Sequence, residues 1–189
     1  MSRRSLATLI LLGVAVAALS GCMPKMTIEQ MKAKMPKRPA ELDRLNAFVG
    51  KWQGEGTAEF AMLDRPLKTS GTSEMRWAGD KWYLISDGTF TMEEFGEFKG
   101  QEAWTYDAHD KKYRSTWVDS MGMIGMGEST YDEKSGVWKF KARSYGAWGQ
   151  STMSGTLKFP NPDTMEWEWT EYMGLMKTTY MTGTSKRVK

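Results

Sequence analysis

From Lys51 onward, apolar and polar side chains alternate along the chain with a period of two residues. In the first such segment, residues 51–60, Trp52 and Phe60 share a face with small residues, and charged or polar residues take the other face. Successive side chains of a β-strand point to opposite faces of the sheet, so this alternation predicts a half-buried strand. Similar segments follow at residues 67–77, 82–92, 98–106, 113–119, 124–131, 137–144, 151–159, 165–172 and 176–185.

Short polar turns separate these segments, most clearly at residues 107–110, 132–136 and 160–163. Connections this short make neighbouring strands antiparallel and give a meander. An open sheet of about ten strands would leave two unpaired edges, which closure into a barrel removes. The sequence therefore predicts an all-β fold, a single antiparallel meander β-barrel of about ten strands, in preference to a sandwich.

The segment before the strands predicts one short helix. Pro39 is typical of a helix start, apolar residues within Leu42–Val49 recur at helical spacing, and Gly50 follows them. Residues 22–38 are rich in Lys, Met and Pro, which indicates a flexible tether. The barrel domain with its leading helix is therefore expected to span residues 39–189.

The first 21 residues are typical of an export signal. Arg3 and Arg4 precede an uncharged apolar run, Leu6 to Leu19, which as a helix would be about 21 Å long and so shorter than a ~30 Å hydrocarbon core. The run ends in Leu-Ser-Gly-Cys, which resembles the lipobox of bacterial lipoproteins. The resemblance implies cleavage between Gly21 and Cys22 and attachment of a diacylglycerol to Cys22.

Acylation of this kind would anchor the chain stably to a membrane outside the cytoplasm. No aspartate follows Cys22, and the resemblance to sorted lipoproteins then favours the outer membrane over the inner membrane, with the domain facing the periplasm. Two alternatives stay open: an ordinary secretory leader with a chance cysteine, and export by the twin-arginine route, whose motif residues 2–6 partly resemble.

Charge and cysteine content narrow the classes of partner. The formal net charge of +3 falls to +1 when residues 1–21, with two arginines and no acids, are removed. With no stripe of basic and aromatic residues, nucleic acid is not an expected partner. Cys22 is the only cysteine, so the domain forms no internal disulfide and depends on burial and a closed hydrogen-bond ladder. We expect a monomer.

Residues 45–52 end in Gly-x-Trp, formed by Gly50 and Trp52, just after the predicted helix. This pattern resembles the calycin superfamily of lipocalins, fatty-acid-binding proteins and nitrobindin-like barrels. The resemblance implies that Trp52 plugs one end of the barrel beneath a basic side chain of the last strand, Lys186 or Arg187, with Arg187 preferred.

A closer resemblance is to an uncharacterised bacterial calycin-like family, a domain of unknown function. It covers about residues 41–185 and implies a fold but little about a ligand. The matching segments are residues 45–52, Gly71-Thr72, Tyr106-Asp107-Ala108, residues 117–121 and residues 176–180.

Groups for catalysis or for a cofactor are scarce. The only histidine, His109, lies in a polar turn, so no nucleophile–histidine pair and no histidine-rich zinc site can be built. Nitrobindin-like barrels bind haem through a histidine near the C-terminus, where this chain carries methionines and Tyr180 instead. We therefore expect no enzymatic activity, no metal and no cofactor.

The predicted interior is rich in methionine and tryptophan. Trp167 and Trp169 alternate with glutamates and should point inward, and Asp119 and Glu171 share faces with tryptophans. The leading hypothesis is therefore a lipid-anchored barrel that binds a small apolar ligand. The candidate pocket residues are Trp117, Asp119, Met121, Met123, Met165, Trp167 and Trp169.

Three other interpretations stay open. The aromatic residues could form a filled core in a structural or interaction lipoprotein of the envelope. Asp119 and Glu171 could reach water at strand ends. Met121, Met123 and Met126 could bind Cu(I) in the periplasm through soft thioether ligands, although methionine more often fills irregular gaps in a core.

Overall fold

The structure is a computed structural model that describes residues 25–189. Residues 25–37 and 38–189 belong to separate compact units. The cleavage site at Gly21 and the lipidation site at Cys22 lie outside the described residues. Within residues 25–189, no helix has the length and the hydropathy of a membrane-crossing segment.

The first unit contains a helix that the sequence analysis did not predict, α1 (Ile28–Ala33). A capping box begins it: the Gln30 amide donates to Thr27 Oγ1 at 3.2 Å, and the Thr27 amide donates to Gln30 Oε1 at 2.9 Å. Such reciprocal bonds satisfy N–H groups that a helix leaves free at its start. The Thr-x-x-Gln spacing in the expected tether was the signal for it.

The second unit begins with a 3₁₀ helix, η1 (Ala40–Ala47), followed only by strands. Three residues per turn align Leu42, Leu45 and Phe48 on one face, and all three are buried. This spacing of three explains why the predicted short helix is 3₁₀. The strands are β1 (Gly50–Phe60), β2 (Leu67–Ala78), β3 (Tyr83–Met92), β4 (Gly96–Asp107), β5 (Lys112–Asp119), β6 (Ile124–Asp132), β7 (Val137–Gly146), β8 (Gly149–Asn161), β9 (Thr164–Met173) and β10 (Met176–Val188).

The ten strands form one closed antiparallel barrel in which each strand pairs with its neighbours in sequence. Closure is made by β1 and β10, whose register runs from Lys51 opposite Val188 to Phe60 opposite Thr179. The predicted fold class, an antiparallel meander barrel of ten strands, is confirmed. Every strand edge is paired, which is how a domain without disulfides satisfies its backbone groups.

A meander places alternate turns at opposite ends of the barrel. The end next to η1 holds the turns β2–β3, β4–β5, β6–β7 and β8–β9, and we call it the closed end. The other end holds the turns β1–β2, β3–β4, β5–β6, β7–β8 and β9–β10, and we call it the open end.

Candidate functional site in the open half of the barrel

Large aromatic side chains fill the closed end around Phe48. The centroid of its ring lies 5.1 Å from that of Trp138 and 5.0 Å from that of Phe159, both nearly edge to face. Trp52, Leu84 and the rest of this cluster are almost inaccessible to water. Edge-to-face aromatic contacts add to the free energy of burial, so this end is a packed core.

Arg187 and Trp52 lock η1 onto the barrel. The guanidinium carbon of Arg187 lies 4.3 Å from the centroid of the Trp52 ring, and one of its nitrogens donates to the Ala47 carbonyl at 3.0 Å. The Trp52 indole donates to the Phe48 carbonyl at 2.7 Å. Gly50 has a φ of +128°, and a Cβ there would lie 2.6 Å from an Arg187 nitrogen. The glycine of Gly-x-Trp therefore makes room for the arginine that covers the tryptophan.

The inward positions beyond this cluster carry many small side chains. Cross-strand register places glycine opposite glycine in three inward pairs, Gly54 with Gly71, Gly56 with Gly183, and Gly88 with Gly100. Serines such as Ser115, Ser129 and Ser144 occupy other inward positions. Large inward side chains such as Phe90, Phe98 and Met153 lie among these small residues, and Leu67 and Met181 are buried there. The glycines and serines therefore leave room in the open half only between these larger side chains.

The inward tryptophans of this half lie close against wall glycines. The ring of Trp117 occupies the space where a Cβ of Gly125 would be, and the ring of Trp167 does the same over Gly183. The indole of Trp167 donates to Ser185 Oγ at 3.2 Å. Both tryptophans face inward and yet are only half-buried. Each indole therefore keeps part of its surface accessible.

One row of cross-strand partners runs through this half from β4 to β8. Glu102 is opposite Trp117, which is opposite Gly125. Gly125 in turn is opposite Ser144, which is opposite Ser151. The wall thus presents an aromatic surface with polar groups on each side, which is the usual character of a small-molecule site. We call the polar members Glu102, Ser144, Ser151 and Glu171 the polar belt.

Glu102 is the most perturbed titratable group in the polar belt. Burial raises the pKa of its carboxyl to about 7, although the Trp104 indole and the Ser115 hydroxyl oppose the shift. Part of the side chain can still be touched by water, even though protein surrounds it. The carboxyl therefore borders space inside the barrel, where it can donate or accept a proton near neutral pH.

Glu171 completes the belt on the far side of the row. The hydroxyl of Ser151 donates to its Oε1, and Thr179 Oγ1 donates to its Oε2 at 3.4 Å. The hydroxyl oxygens of Ser144 and Ser151 are 2.6 Å apart, and both serines are buried. A chain of hydroxyl groups thus fixes this carboxylate in the wall.

The predicted pocket residues occupy three different places. Trp117 and Trp169 face inward in the open half, and Trp167 faces inward at its border, where it packs against the closed-end cluster. Met165 is buried in the cluster at the closed end. The remaining three belong to the β5–β6 turn at the open end: Asp119, Met121 and Met123.

Asp119 is committed to that turn. Its Oδ1 accepts hydrogen bonds from the amides of Met121 at 2.9 Å and Met123 at 3.1 Å. Such Asx bonding fixes a tight turn and occupies the carboxylate. Asp119 is therefore at the mouth of the lumen and holds the turn.

The three methionines of the copper hypothesis point in different directions. Met121 is exposed in the turn, Met123 packs near Gly146, and Met126 is outward on β6 and exposed. The structure does not bring their sulfur atoms together. Within residues 25–189, no three His, Cys, Asp or Glu side chains cluster as a metal site would require.

The sequence analysis missed Glu102 and the serines of the polar belt. Glu102 alternates in phase with Phe98, Trp104 and Tyr106, and this was the available signal for an inward carboxylate. The same reasoning had been applied to Asp119 and Glu171. His109 lies at the closed end, where its side chain is exposed and its hydrogen bond to Asp110 raises the pKa of its imidazole.

Two depressions open to solvent, and both are lined mainly by residues of the outer wall and of one loop. One, of about 570 Å³, crosses the outer wall from β5 to β10 and is lined by outward residues such as Lys112, Glu128 and Lys141. The other, of about 340 Å³, lies beside the β1–β2 loop. Ion pairs such as Lys112–Glu128 at 2.8 Å cross the first. We assign the candidate site to the lumen because the perturbed carboxyl and the half-buried indoles meet there.

The fold and this interior define a closed ten-stranded antiparallel β-barrel with a polar belt in its open half. The family profile described as "Protein of unknown function (DUF1579)" matches residues 38–187. The chain belongs to this family. No curated protein matches the sequence at a significant level.

Solved structures resemble the barrel at low sequence identity. Rv2717c from M. tuberculosis is 12% identical with a TM-score of 0.62, and the match covers 81% of this chain and 100% of that one. The S-type phycobiliprotein lyase CPES from Guillardia theta is also 12% identical with a TM-score of 0.57, covering 87% of this chain and 99% of the other. At these identities the likeness shows the fold alone.

The prediction that this protein has no enzymatic activity is wrong. A barrel of the same fold carries the name of a lyase, so neither the fold nor the lack of a histidine pair argues against catalysis. A carboxyl with a pKa of about 7 in the lumen is a group that proton-transfer chemistry can use.

Proposed function

We propose that the open half of the lumen binds a small, largely apolar molecule that carries one polar group. The observation that carries this proposal is the state of the inward tryptophans. Trp117 and Trp167 point into the barrel and remain half-buried, whereas Trp52 at the closed end is 1% exposed. An apolar ligand would cover the surface that these indoles leave accessible, and burial of such surface is favourable.

The polar belt indicates what the ligand's polar group would meet. Below pH 7 the Glu102 carboxyl holds a proton and can donate it to a carbonyl or carboxylate oxygen. Above pH 7 it is a carboxylate and accepts from a hydroxyl or an amine. A hydroxyl, amide or carboxylic acid at the end of an apolar body therefore fits the belt, and a fatty acyl chain is one such body.

A variant that fills the lumen tests this proposal. Gly88 is inward, and a Cβ there would meet only ordinary contacts, at 3.5 Å from the Thr72 oxygen and 3.7 Å from the Ser73 Cβ. Gly88→Leu should therefore fold and extend its side chain into the site. Thr91→Leu adds the same side chain to the outer face of the same strand and is the matched control.

The measurement is titration with N-phenyl-1-naphthylamine, a neutral fluorophore that brightens in apolar surroundings, beside native mass spectrometry and organic extraction of the purified protein. We expect binding to the wild type and to Thr91→Leu, and an affinity lower by about tenfold or more in Gly88→Leu, equal to at least ~1.4 kcal/mol. Equal binding by all three proteins, or no binding by any, would overturn the proposal.

We also propose that the protein is a lipoprotein whose acyl chains on Cys22 hold it in the outer membrane. The lipobox-like Leu-Ser-Gly-Cys at residues 19–22 supports this. The mass of the protein purified from membranes should correspond to a chain that begins at Cys22 with its acyl groups. A Cys22→Ala protein should keep its leader. A mature chain of unmodified mass would contradict the anchor.

A further inference from the structure

Every turn at the open end carries an exposed large apolar side chain. The exposed fractions reach 92% for Met62, 85% for Trp148 and 103% for Leu175. Phe95 and Met121 occupy the two other turns and are also exposed. Together with Leu63 these residues form what we call the apolar rim.

The turns at the closed end have the opposite character. They consist of Gly79–Trp82, Ala108–Lys111, Glu133–Gly136 and Pro162–Asp163, and the one large apolar side chain among them is Trp82, which is 37% exposed. Exposed apolar side chains concentrated at one end mark an interaction surface. The contrast therefore needs an explanation that applies to the open end alone.

We infer that the apolar rim docks on a lipid bilayer, with the mouth of the lumen against the lipid. Neighbouring hairpins of a barrel are about 10 Å apart around its circumference, at ~4.8 Å per strand. The rim thus presents separate apolar tips around a ring, one or two per hairpin. A bilayer can accept each tip independently, and tryptophan, phenylalanine, methionine and leucine all partition into its interface.

The charged residues of the rim turns indicate that burial of apolar side chains, and not attraction to anionic headgroups, drives insertion. They carry Asp64, Arg65, Glu93 and Glu94, and no lysine. Arg65 is paired with Glu93 at 3.2 Å and with Glu94 at 2.6 Å. Lys68 and Lys177 flank these turns at the ends of β2 and β10, but Glu59, Asp64 and Glu93 lie beside them. The rim therefore has no excess of basic charge, and docking should not require anionic lipid and should tolerate salt.

The lipobox-like sequence would place a bilayer within reach of the rim. From Cys22 to Arg38 the chain spans at most about 50 Å when extended, and about 40 Å with α1 intact. A tilted strand of ten to thirteen residues covers roughly 25 to 35 Å along a barrel axis. A chain anchored at Cys22 is therefore long enough for the rim to touch the membrane that holds the anchor.

Docking at this end deepens the proposed function, on which it rests for the role of the lumen, because the ligand would then come from the bilayer. Apolar molecules in membranes pass through water poorly, and a mouth pressed on the lipid avoids that step. The class of ligand is thereby a membrane-soluble amphiphile with one polar group.

Quenching of tryptophan fluorescence by brominated phosphatidylcholine tests the docking. The full-length mature protein is mixed with, or reconstituted into, vesicles of this lipid, as wild type, Trp148→Ser and Trp82→Ser. Trp82 is at the closed end and is the matched control. We expect quenching in the wild type and in Trp82→Ser, loss of most of it in Trp148→Ser, and no change with 1 M salt or added phosphatidylglycerol.

Several results would overturn the inference. They are absence of quenching in the wild type, equal loss in both tryptophan variants, strong dependence on salt or anionic lipid, and a dimer in detergent that Trp148→Ser dissociates. The last would identify a second copy as the occupant. Gly88→Leu should keep the Trp148 quenching while losing the fluorophore, and Trp148→Ser should keep the fluorophore in solution. Failure of docking and failure of ligand binding are therefore distinguishable.

Discussion

The two ends of this barrel have opposite distributions of large apolar side chains. At the closed end they point inward, pack around Phe48 and are covered by polar turns. At the open end the inward positions mix glycine and serine with large side chains such as Phe90 and Phe98, and further large apolar residues are exposed on the turns. The same strands thus change along their length from a packed aromatic cluster to a wall of mixed small and large side chains.

This difference separates stability from binding. Buried apolar area and the contacts of Arg187 hold the closed end together, so the chain can place glycines, serines and carboxyl groups inside the open half and still fold. The Glu102 carboxyl, whose pKa is raised, and the partly accessible indoles lie in the open half, where a ligand can contact them.

Truncating the central tryptophan of the closed end should have the largest effect on stability. Trp52→Ala removes a side chain that is 1% exposed, together with its hydrogen bond to Phe48, and should lower the free energy of unfolding by about 3 to 5 kcal/mol. Urea denaturation followed by circular dichroism measures this. A loss below about 1 kcal/mol would show that the closed end is not the stabilising half.

The next largest effect on stability should come from ionisation of the Glu102 carboxyl. Its pKa is about 7 in the folded protein and near 4.5 when unfolded, so the native state binds more protons between these values. Stability should therefore fall as pH rises from about 4.5 to 7, by roughly 2 to 3 kcal/mol. Glu102→Gln should remove this dependence and be more stable than the wild type at pH 8.

Urea denaturation at pH 5 and pH 8 checks this prediction. Glu55→Gln, an exposed outward position on β1, serves as its control and should keep the wild-type pH dependence. If Glu102→Gln retained the wild-type slope between these pH values, the carboxyl would not be desolvated in the lumen.

A smaller effect is expected for Arg187→Lys. Lysine keeps the charge but cannot donate at once to the carbonyls of Ala47 and Pro162, which lie 3.0 Å from the guanidinium in each case. We expect a loss of about 1 to 2 kcal/mol in the free energy of unfolding, measured by the same denaturation. A variant as stable as the wild type would mean that the arginine does not hold η1.

The smallest effect on stability should be that of Trp148→Ser. This side chain is 85% exposed at the open end, so its removal should change the free energy of unfolding by less than about 0.5 kcal/mol. Thermal unfolding of this variant beside Trp52→Ala compares the same residue type at both ends. Similar losses in the two would remove the distinction between them.

The strand pattern was predictable because a period of two residues is a strong local signal. Alternation at Trp52 and Phe60 predicts strand and face together, and short turns then leave few topologies for ten strands. The 3₁₀ form of η1 agrees with the spacing of three between Leu42, Leu45 and Phe48, but the burial of that face against the barrel is a tertiary property.

The site was less accessible to sequence reasoning. Alternation tells which face a residue occupies but not its height along the barrel axis, so Met165 and Trp167 looked equivalent although one is in the packed core. The pairing of Glu102 with Trp117 depends on register across β4 and β5. Strand register and internal space both depend on contacts between strands, so a pattern within one short segment predicts neither.

Location of a bound heavy-atom ligand tests the central claim most directly. A crystal of the protein grown with a brominated alkanoate should show an anomalous bromine peak inside the barrel, in the open half beside Trp117 and between Glu102 and Glu171. Bromine found only on the outer wall, or an open half filled by protein side chains at saturating ligand, would contradict it.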